Sequence, residues 1–464
     1  MGGEWRNRTL AELSSFLNRG TAPAYINEGG VLVLNQKCVR DQRVIYELGR
    51  RTDPERRPIA ADRMLRPFDV LVNSTGVGTL GRVAQVRKIE EPATVDSHLT
   101  IVRPNPEAVD PLYLGMAIRF CEHEIEWLGE GSTGQTELSR ERLSKFTVPV
   151  PESRDEQRAI SHILGTLDDK IELNRRMNQT LEEMARAIFK SWFVDFDPVR
   201  AKAAVRREHP DWSNAQVSRA ACPNLKPEIA ELFPDEFENS ELGEIPKGWR
   251  VAALPDVIEV NPTRVLRKGE VAPYLDMANM PTRCHTPDVV VERPFGSGMR
   301  FMNGDTLVAR ITPCLENGKT AYVDFLEDGQ VGWGSTEYIV LRPKPPLPPE
   351  FGYCLARSVE FRDFAIQSMT GSSGRQRVAA DSLAHFHLVV APKPIAEKFG
   401  EAITPLLARG SKATAESRTL ADLRDTLLPK LISGELRLPA AVRDRAAQAG
   451  VKDAEQFLNR RGKL

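Results

Sequence analysis

Gly318-Lys319-Thr320 comes nearest to a phosphate-binding motif in the 464-residue sequence. Such a loop also requires a glycine five positions before Gly318, so that the backbone can turn its N–H groups inward. That position holds Pro313, which has no N–H to offer. A β-turn is the better reading, because Gly81-Arg82 occupies the corresponding place in an earlier stretch. Pro287-Asp288 with Glu292-Arg293 faintly echoes the carboxylate set of a magnesium nuclease, but the expected lysine is missing and a charged strand edge accounts for it. Cys284-His285 is the closest Cys/His pair, two ligands where a structural zinc needs four. The six cysteines (38, 121, 222, 284, 314, 354) form no Cys-x-x-Cys and predict free thiols in a reducing compartment. With no Asn-Pro-Pro-aromatic or Asp-Pro-Pro-Tyr tetrapeptide, amino-methyl transfer to a base has no visible site. His-Glu-x-x-His and Gly-x-Ser-x-Gly are absent too, and the seven scattered histidines assemble no general base. The sequence predicts a chain that is not itself an enzyme and carries no cofactor or metal of its own.

What the chain does contain is written twice. "GSTGQTELSRERLSKFTVPV" at 131–150 returns as "GSSGRQRVAADSLAHFHLVV" at 371–390. Trp5, Arg6 and Leu10 are echoed by Trp249, Arg250 and Leu254. Asp69, Leu71 and Val72 sit opposite Asp305, Leu307 and Val308, and Arg103-Pro104 opposite Arg342-Pro343. Copies this long are a duplicated domain, since a solenoid would repeat every 20–50 residues. Each copy mixes short β-rich runs with glycine and proline turns, a short helix after Pro111 or Pro349, and a last strand ending at Val150 or Val390. The fold class expected is therefore α+β, with two similar domains at 1–152 and 246–393.

A long helical period follows each copy. Ser153 opens a capping box, and from there Ile160, Leu167, Asn174, Leu181 and Ile188 recur every seven residues. Leu164, Ile171, Asn178, Ala185 and Trp192 form the second line of the seam. An apolar heptad over five cycles predicts a coiled coil, with Asn174 and Asn178 at positions where buried amides fix register. The second period, Phe399, Ile403, Leu406, Ala413, Leu420, Leu427 and Leu431, is less regular and has Gly410 and Ser417 in its middle. Two such helices, at 153–194 and 394–434, are predicted to pair antiparallel as a spacer under a pseudo-twofold duplication. A helix over 155–192 would be about 57 Å long. Residues 195–245 are read as an acidic, proline-rich linker or peripheral wrap, and 435–464 as a charged C-terminal tail.

The bulk numbers set limits. A 41% hydrophobic and 27% charged composition describes a soluble globular chain of two or three domains. No apolar run approaches the roughly 20 residues that span a bilayer, and the charged N-terminus lacks a signal peptide, so a cytoplasmic location without membrane contact is expected. The net charge of −1 hides segregation: residues 31–105 hold 13 Lys and Arg against 9 Asp and Glu, whereas 225–245 hold Lys226 against seven acids. Neutrality overall does not exclude a polyanionic partner.

Two similar heads on a stiff bar suit a target with two marks at a set spacing, and duplex DNA presents sites of this kind near one helical turn apart. The candidate DNA contacts are polar and basic loop residues: Lys37, Arg40, Arg43, Asn73, Ser74, Thr75, Ser132, Thr133 and Gln135 in the first copy. The second copy offers Arg283, Arg310, Thr312, Asn317, Lys319, Ser372, Arg375 and Gln376, whereas Arg103 and Arg342 are expected to cap strand ends.

Along nearly its whole length the chain resembles the specificity subunits of type I restriction–modification systems. The matching stretches are "SELGEIPKGW", "SWFVDFDPVRAK", "SHLTIVRP", "STEYIVLRP" and the Gly-Ser-x-Gly loops leading into "TVPVPESRDEQ". The resemblance implies two target-recognition domains, each reading half of a gapped double-stranded DNA sequence. It implies helices that act as spacer and as docking surface for two methyltransferase subunits bringing S-adenosylmethionine to adenine. Two restriction subunits, translocase–nucleases using ATP and Mg, would complete the assembly. A methyltransferase-only complex, a fused enzyme and a scaffold that binds only proteins are the competing readings.

Overall fold

The fold is that of a computed structural model, whose described residues are 4–130, 136–372 and 374–459. Two compact units divide the chain: residues 1–170 with 420–464, and residues 171–419.

In the first unit an antiparallel sheet orders its strands as Ser14–Arg19, Leu99–Pro104, Val70–Asn73 and Val83–Gln85. Its two central strands are buried throughout because both faces are covered. Val70, Val72 and Val102 enter a core shared with helical residues such as Tyr113, Leu114 and Ile118. Their neighbours Leu71, Leu99 and Ile101 face the opposite core, with Leu32, Leu34 and Val95 of a second sheet. In that second sheet Val31–Leu34 runs parallel to Ala93–Val95 and antiparallel to Arg50–Thr52, and Tyr25–Ile26 is added outside. Trp5–Thr9 pairs with Thr147–Pro151 and brings the two ends of the domain together. Where Val70 begins, buried Asp69 takes two hydrogen bonds from Arg103, at 2.8 and 2.7 Å, and one from the Arg66 N–H at 2.7 Å. Burial pushes the Asp69 carboxyl up, and the Arg103 contact opposes it.

The second unit repeats the plan. Its antiparallel sheet has the same order, Ile258–Val260, Tyr338–Pro343, Thr306–Ala309 and Thr320–Tyr322. Arg250–Ala253 with His387–Val390 closes the domain as before. Asp305 stands where Asp69 stood, bonded by Arg342 at 2.9 Å and the Met302 N–H at 2.8 Å, with Arg264 added at 3.2 Å. Both arginines thus hold strand ends, as expected. One outer strand breaks the equivalence. Gly332–Gly334 is parallel to Val271–Leu275, which pairs with Val291–Pro294, but the fourth strand, Met299–Phe301, joins Gly332–Gly334 at the other edge. The charged edge expected at Glu292-Arg293 is such an outer strand.

The long helices are Arg154–Phe193 and Lys393–Ile432. Within the first unit Ile160 and Leu164 pack with Leu428, Leu431 and Ile432, and Arg424 reaches Asp168 at 2.9 Å. Within the second, the Asn174 amide donates to Glu416 at 2.7 Å and to the Ala413 carbonyl at 3.3 Å. Asn178 donates to Thr414 at 2.8 Å, and the Phe193 and Phe399 rings meet at 4.9 Å. Rising numbers on one helix meet falling numbers on the other, so the pairing is antiparallel, and no predicted seam residue is exposed. The apolar face is wider than a two-position seam, because Phe189, Phe193 and Leu407 also bury themselves, in the core shared with Phe351 and Tyr353.

Two expectations change. Residues 195–245 are not a bare linker: they form helices Asp197–Glu208 and Asn214–Ala221, a turn of helix at Pro227–Ala230 and the hairpin Phe237–Ser240/Gly243–Pro246. Phe196, Val199, Val217 and Phe233 supply the apolar residues, and buried Lys202 ties the helices by donating to Asn214 at 2.7 Å and to the Ala230 carbonyl at 3.0 Å. The charged tail likewise contains a helix, Ala440–Asn459. In each unit a tryptophan at the start of the domain, Trp5 opening its strand and Trp249 just before Arg250–Ala253, clamps the end of a long helix. Trp5 donates to the Ile432 carbonyl at 2.6 Å under the Arg437 guanidinium, and Trp249 packs on Phe193 at 6.0 Å.

Candidate nucleic-acid interface

At one end of the first domain, strand Val70–Asn73 runs into the loop 74–82. Gly76, Gly78 and Gly81 take φ of 106°, 71° and 85°, a region that side chains disfavour. A Cβ on Gly81 would lie 2.7 Å from the Glu126 backbone, so the loop packs directly against its neighbour. Hydrogen bonds from the Asn73 N–H to Arg82 and from the Gly81 N–H to Asn73, both 2.9 Å, close the base of the loop. Gly76 to Gly81 spells Gly-x-Gly-x-x-Gly after a strand, which corrects the expectation that this motif is absent from the chain. The chain continues into strand Val83–Gln85 and not a helix, so no helix N-terminus is aimed at a phosphate. Two further segments converge here. Thr75 bridges to Glu137 and the Leu138 N–H bonds Ser74, while the Asn73 amide donates to the Gln36 carbonyl at 3.1 Å. Arg19 adds an ion pair to Glu137, and Thr75 meets His98 at 2.6 Å.

The second domain builds the same end with other side chains. The Ala309 N–H bonds Lys319 at 3.1 Å, and Ile311 bridges to Arg377 where Thr75 bridged to Glu137. The Thr312 N–H bonds Gln376 at 3.0 Å, and Arg377 forks onto Glu337 with both distances 2.9 Å. Segments 309–319 and 374–378 are thereby joined, as 73–82 and 136–138 are in the first.

Most sequence candidates therefore gather at these ends, but in different roles. Lys37, Arg40, Asn317, Ser372 and Arg375 are exposed, as is Arg283; Arg43, Thr75, Arg310, Thr312 and Gln376 are half-buried. Ser132, Thr133 and Gln135 lie outside the described residues. Asn73 and Ser74 are corrected: both have 0% exposure, Asn73 tethered to Gln36 and Ser74 hydroxyl to hydroxyl with Thr100 at 2.6 Å. They hold the loop from inside, since a polar group leaves water only when a fixed partner replaces it. Lys319 is corrected as well, because its ammonium is spent on the carbonyls of Met277 and Ala278 at 2.5 and 3.3 Å. Gln36, Gln42, His98 and Arg377 belong to these ends and were missed, since each is a lone polar residue whose neighbours come from distant segments. Among the described residues no group of three or more His, Cys, Asp or Glu could hold a metal. No helix among them is long and apolar enough to cross a membrane. The ends offer donors, acceptors and cations on fixed backbones, which suits binding.

Comparisons with known proteins agree with this architecture. Residues 68–183 match the family described as Type I restriction modification DNA specificity domain. The chain is 23% identical over 473 residues to the Type I restriction enzyme HindI specificity subunit of Haemophilus influenzae, across 93% of this chain and 100% of that one. It is 25% identical over 327 residues to the MjaIX specificity subunit of Methanocaldococcus jannaschii, across 68% of this chain and 66% of the relative. Its fold matches the crystal structure of the type I restriction–modification S subunit from M. genitalium with a TM-score of 0.52 at 14% identity, covering 94% of this chain and 97% of that chain.

Proposed function

Because the chain belongs to the family of type I restriction–modification specificity subunits, we propose that each of its two domains reads one half of a gapped duplex DNA sequence. The observation that carries this reading is the paired domain end: the same loop bridges and the same buried Asp–Arg fastener recur, but the outward side chains differ. A repeated scaffold with divergent tips is what two unlike half-sites require, because base edges are read by side chains while the scaffold only positions them. The paired helices act as the ruler between half-sites and as the docking surface for partner subunits.

Chemistry comes from those partners in this reading. Two methyltransferase subunits supply S-adenosylmethionine and methylate adenine, and two restriction subunits supply ATP- and Mg-dependent translocation and cleavage. The test is methylome sequencing of the host with and without the gene, and with residues 5–151 exchanged for a relative's domain. The expected result is a bipartite adenine-methylation motif that vanishes on deletion and changes in one half only on exchange. A motif unchanged by deletion would refute the proposal.

A further inference from the structure

Resting on that reading, a specific reading element can be assigned within the first domain. Val39–Arg40 and Arg43–Val44 form a two-stranded antiparallel ribbon whose turn is Asp41-Gln42. Its root is rigid: Cys38 and Val39 have 0% exposure, the Ile45 N–H bonds the Cys38 carbonyl at 2.8 Å, and Asn35 caps the turn before it through the Lys37 N–H at 2.9 Å. The ribbon lies on strands Val70–Asn73 and Val83–Gln85, which carry the glycine loop between them. Its tip is polar, with Arg40 and Asp41 exposed.

The tip is also strained. Asp41 and Gln42 take φ of 49° and 59°, the left-handed pair that a tight hairpin turn needs and that Asn-Gly would satisfy at least cost. Glutamine in that conformation is unfavourable, and such outliers concentrate where a side chain is kept for what it touches. Arg40, Asp41 and Gln42 border an open depression of about 760 Å³, whose other walls include Thr79 and Arg82 of the glycine loop. A two-stranded ribbon is one of the few elements that fits the DNA major groove, where arginine bonds guanine and glutamine bonds adenine in bidentate fashion.

We propose that the ribbon Val39–Val44 is the base-reading finger of the first domain, with Arg40 and Gln42 contacting a guanine and an adenine in the major groove. The second domain has no counterpart to this ribbon among the described residues: its segment 276–286 runs as turns between strands. The two half-sites are thus read by different devices.

The experiment uses the full chain assembled with its modification subunits, on duplexes in which each guanine or adenine of the target is replaced in turn by its 7-deaza analogue. Unaltered complex should lose about 5- to 150-fold in affinity at one guanine and one adenine of the same half-site. Gln42→Gly should abolish the adenine penalty alone and Arg40→Ala the guanine penalty alone, with the other half-site untouched. Gln42→Gly relieves the strained turn, so loss of fold cannot mimic this result. Retained penalties, or uniform weakening with a shallower salt dependence, would overturn the finger and mark these residues as phosphate contacts. A complex with no sequence preference before mutation would instead overturn the DNA-reading function itself.

Discussion

Removing Arg103 should damage the first domain far more than removing Arg342 damages the second. Asp69 is wholly buried, and the Arg103 side chain bonds both its carboxylate oxygens and also the carbonyls of Asp62 and Met64 at 2.9 and 2.8 Å. Arg103→Ala leaves a buried carboxylate unpaired, a change that costs about 3–5 kcal/mol. Asp305 keeps Arg264 at 3.2 Å when Arg342 is lost, so Arg342→Ala removes one contact to Asp305 and one to the Asn303 carbonyl without leaving the carboxylate unpaired, and costs roughly 1.5–3 kcal/mol. Hydrogen–deuterium exchange on the full chain reads the two domains separately, through peptides covering 99–104 and 338–343. The loss in the first domain also carries a pH signature. Burial raises the Asp69 carboxyl and Arg103 pulls it down, so removing Arg103 raises it further. A carboxyl with a raised folded value penalises the fold above that value, and the penalty fades as pH falls toward the unfolded value near 3.9. The Arg103→Ala deficit should therefore narrow as pH is lowered toward the unfolded value. Equal losses in the two domains, or a deficit that does not change with pH, would refute Arg103 as the side chain that holds the Asp69 charge.

Phe399→Ala, which empties a ring seated among Phe189, Trp192, Phe193 and Phe351, should cost about 3–5 kcal/mol in urea unfolding of the second unit. Gly410→Ala places a methyl 2.7 Å from the ring of His285, which Ser411 holds at 2.9 Å, and should cost about 1–3 kcal/mol by the same assay. Burial pushes the Cys121 and Cys284 thiols up to about 12, so alkylation of the native chain near neutral pH should run about a thousandfold slower than for free cysteine. Deleting one heptad within 160–192 shortens that helix by about 10 Å and should change the gap in the methylated motif, whereas an unchanged gap would mean the helices are not the ruler.

Sequence alone was enough for the features that depend on order along the chain. The duplication shows because equivalent strands keep Asp69 with Arg103 and Asp305 with Arg342 at similar spacings. The long helices show because a seven-residue apolar period is a local property of the backbone. The duplication and the two long helical periods together are the sequence features of a two-headed recognition component. Segment 195–245 was misjudged because its apolar residues are sparse and find one another only after the helices turn back, with Lys202 buried by partners 12 and 28 residues away.

What tertiary structure alone decided is which polar residues face water. Asn73, Ser74 and Thr75 are adjacent and chemically alike, yet the first two have 0% exposure and serve the scaffold. Lys319 stood among the candidate DNA contacts and is tied to two carbonyls, while Gln42 looked ordinary and sits on a strained tip. A polar side chain's role depends on whether a fixed partner replaces its water, and those partners come from segments dozens of residues away.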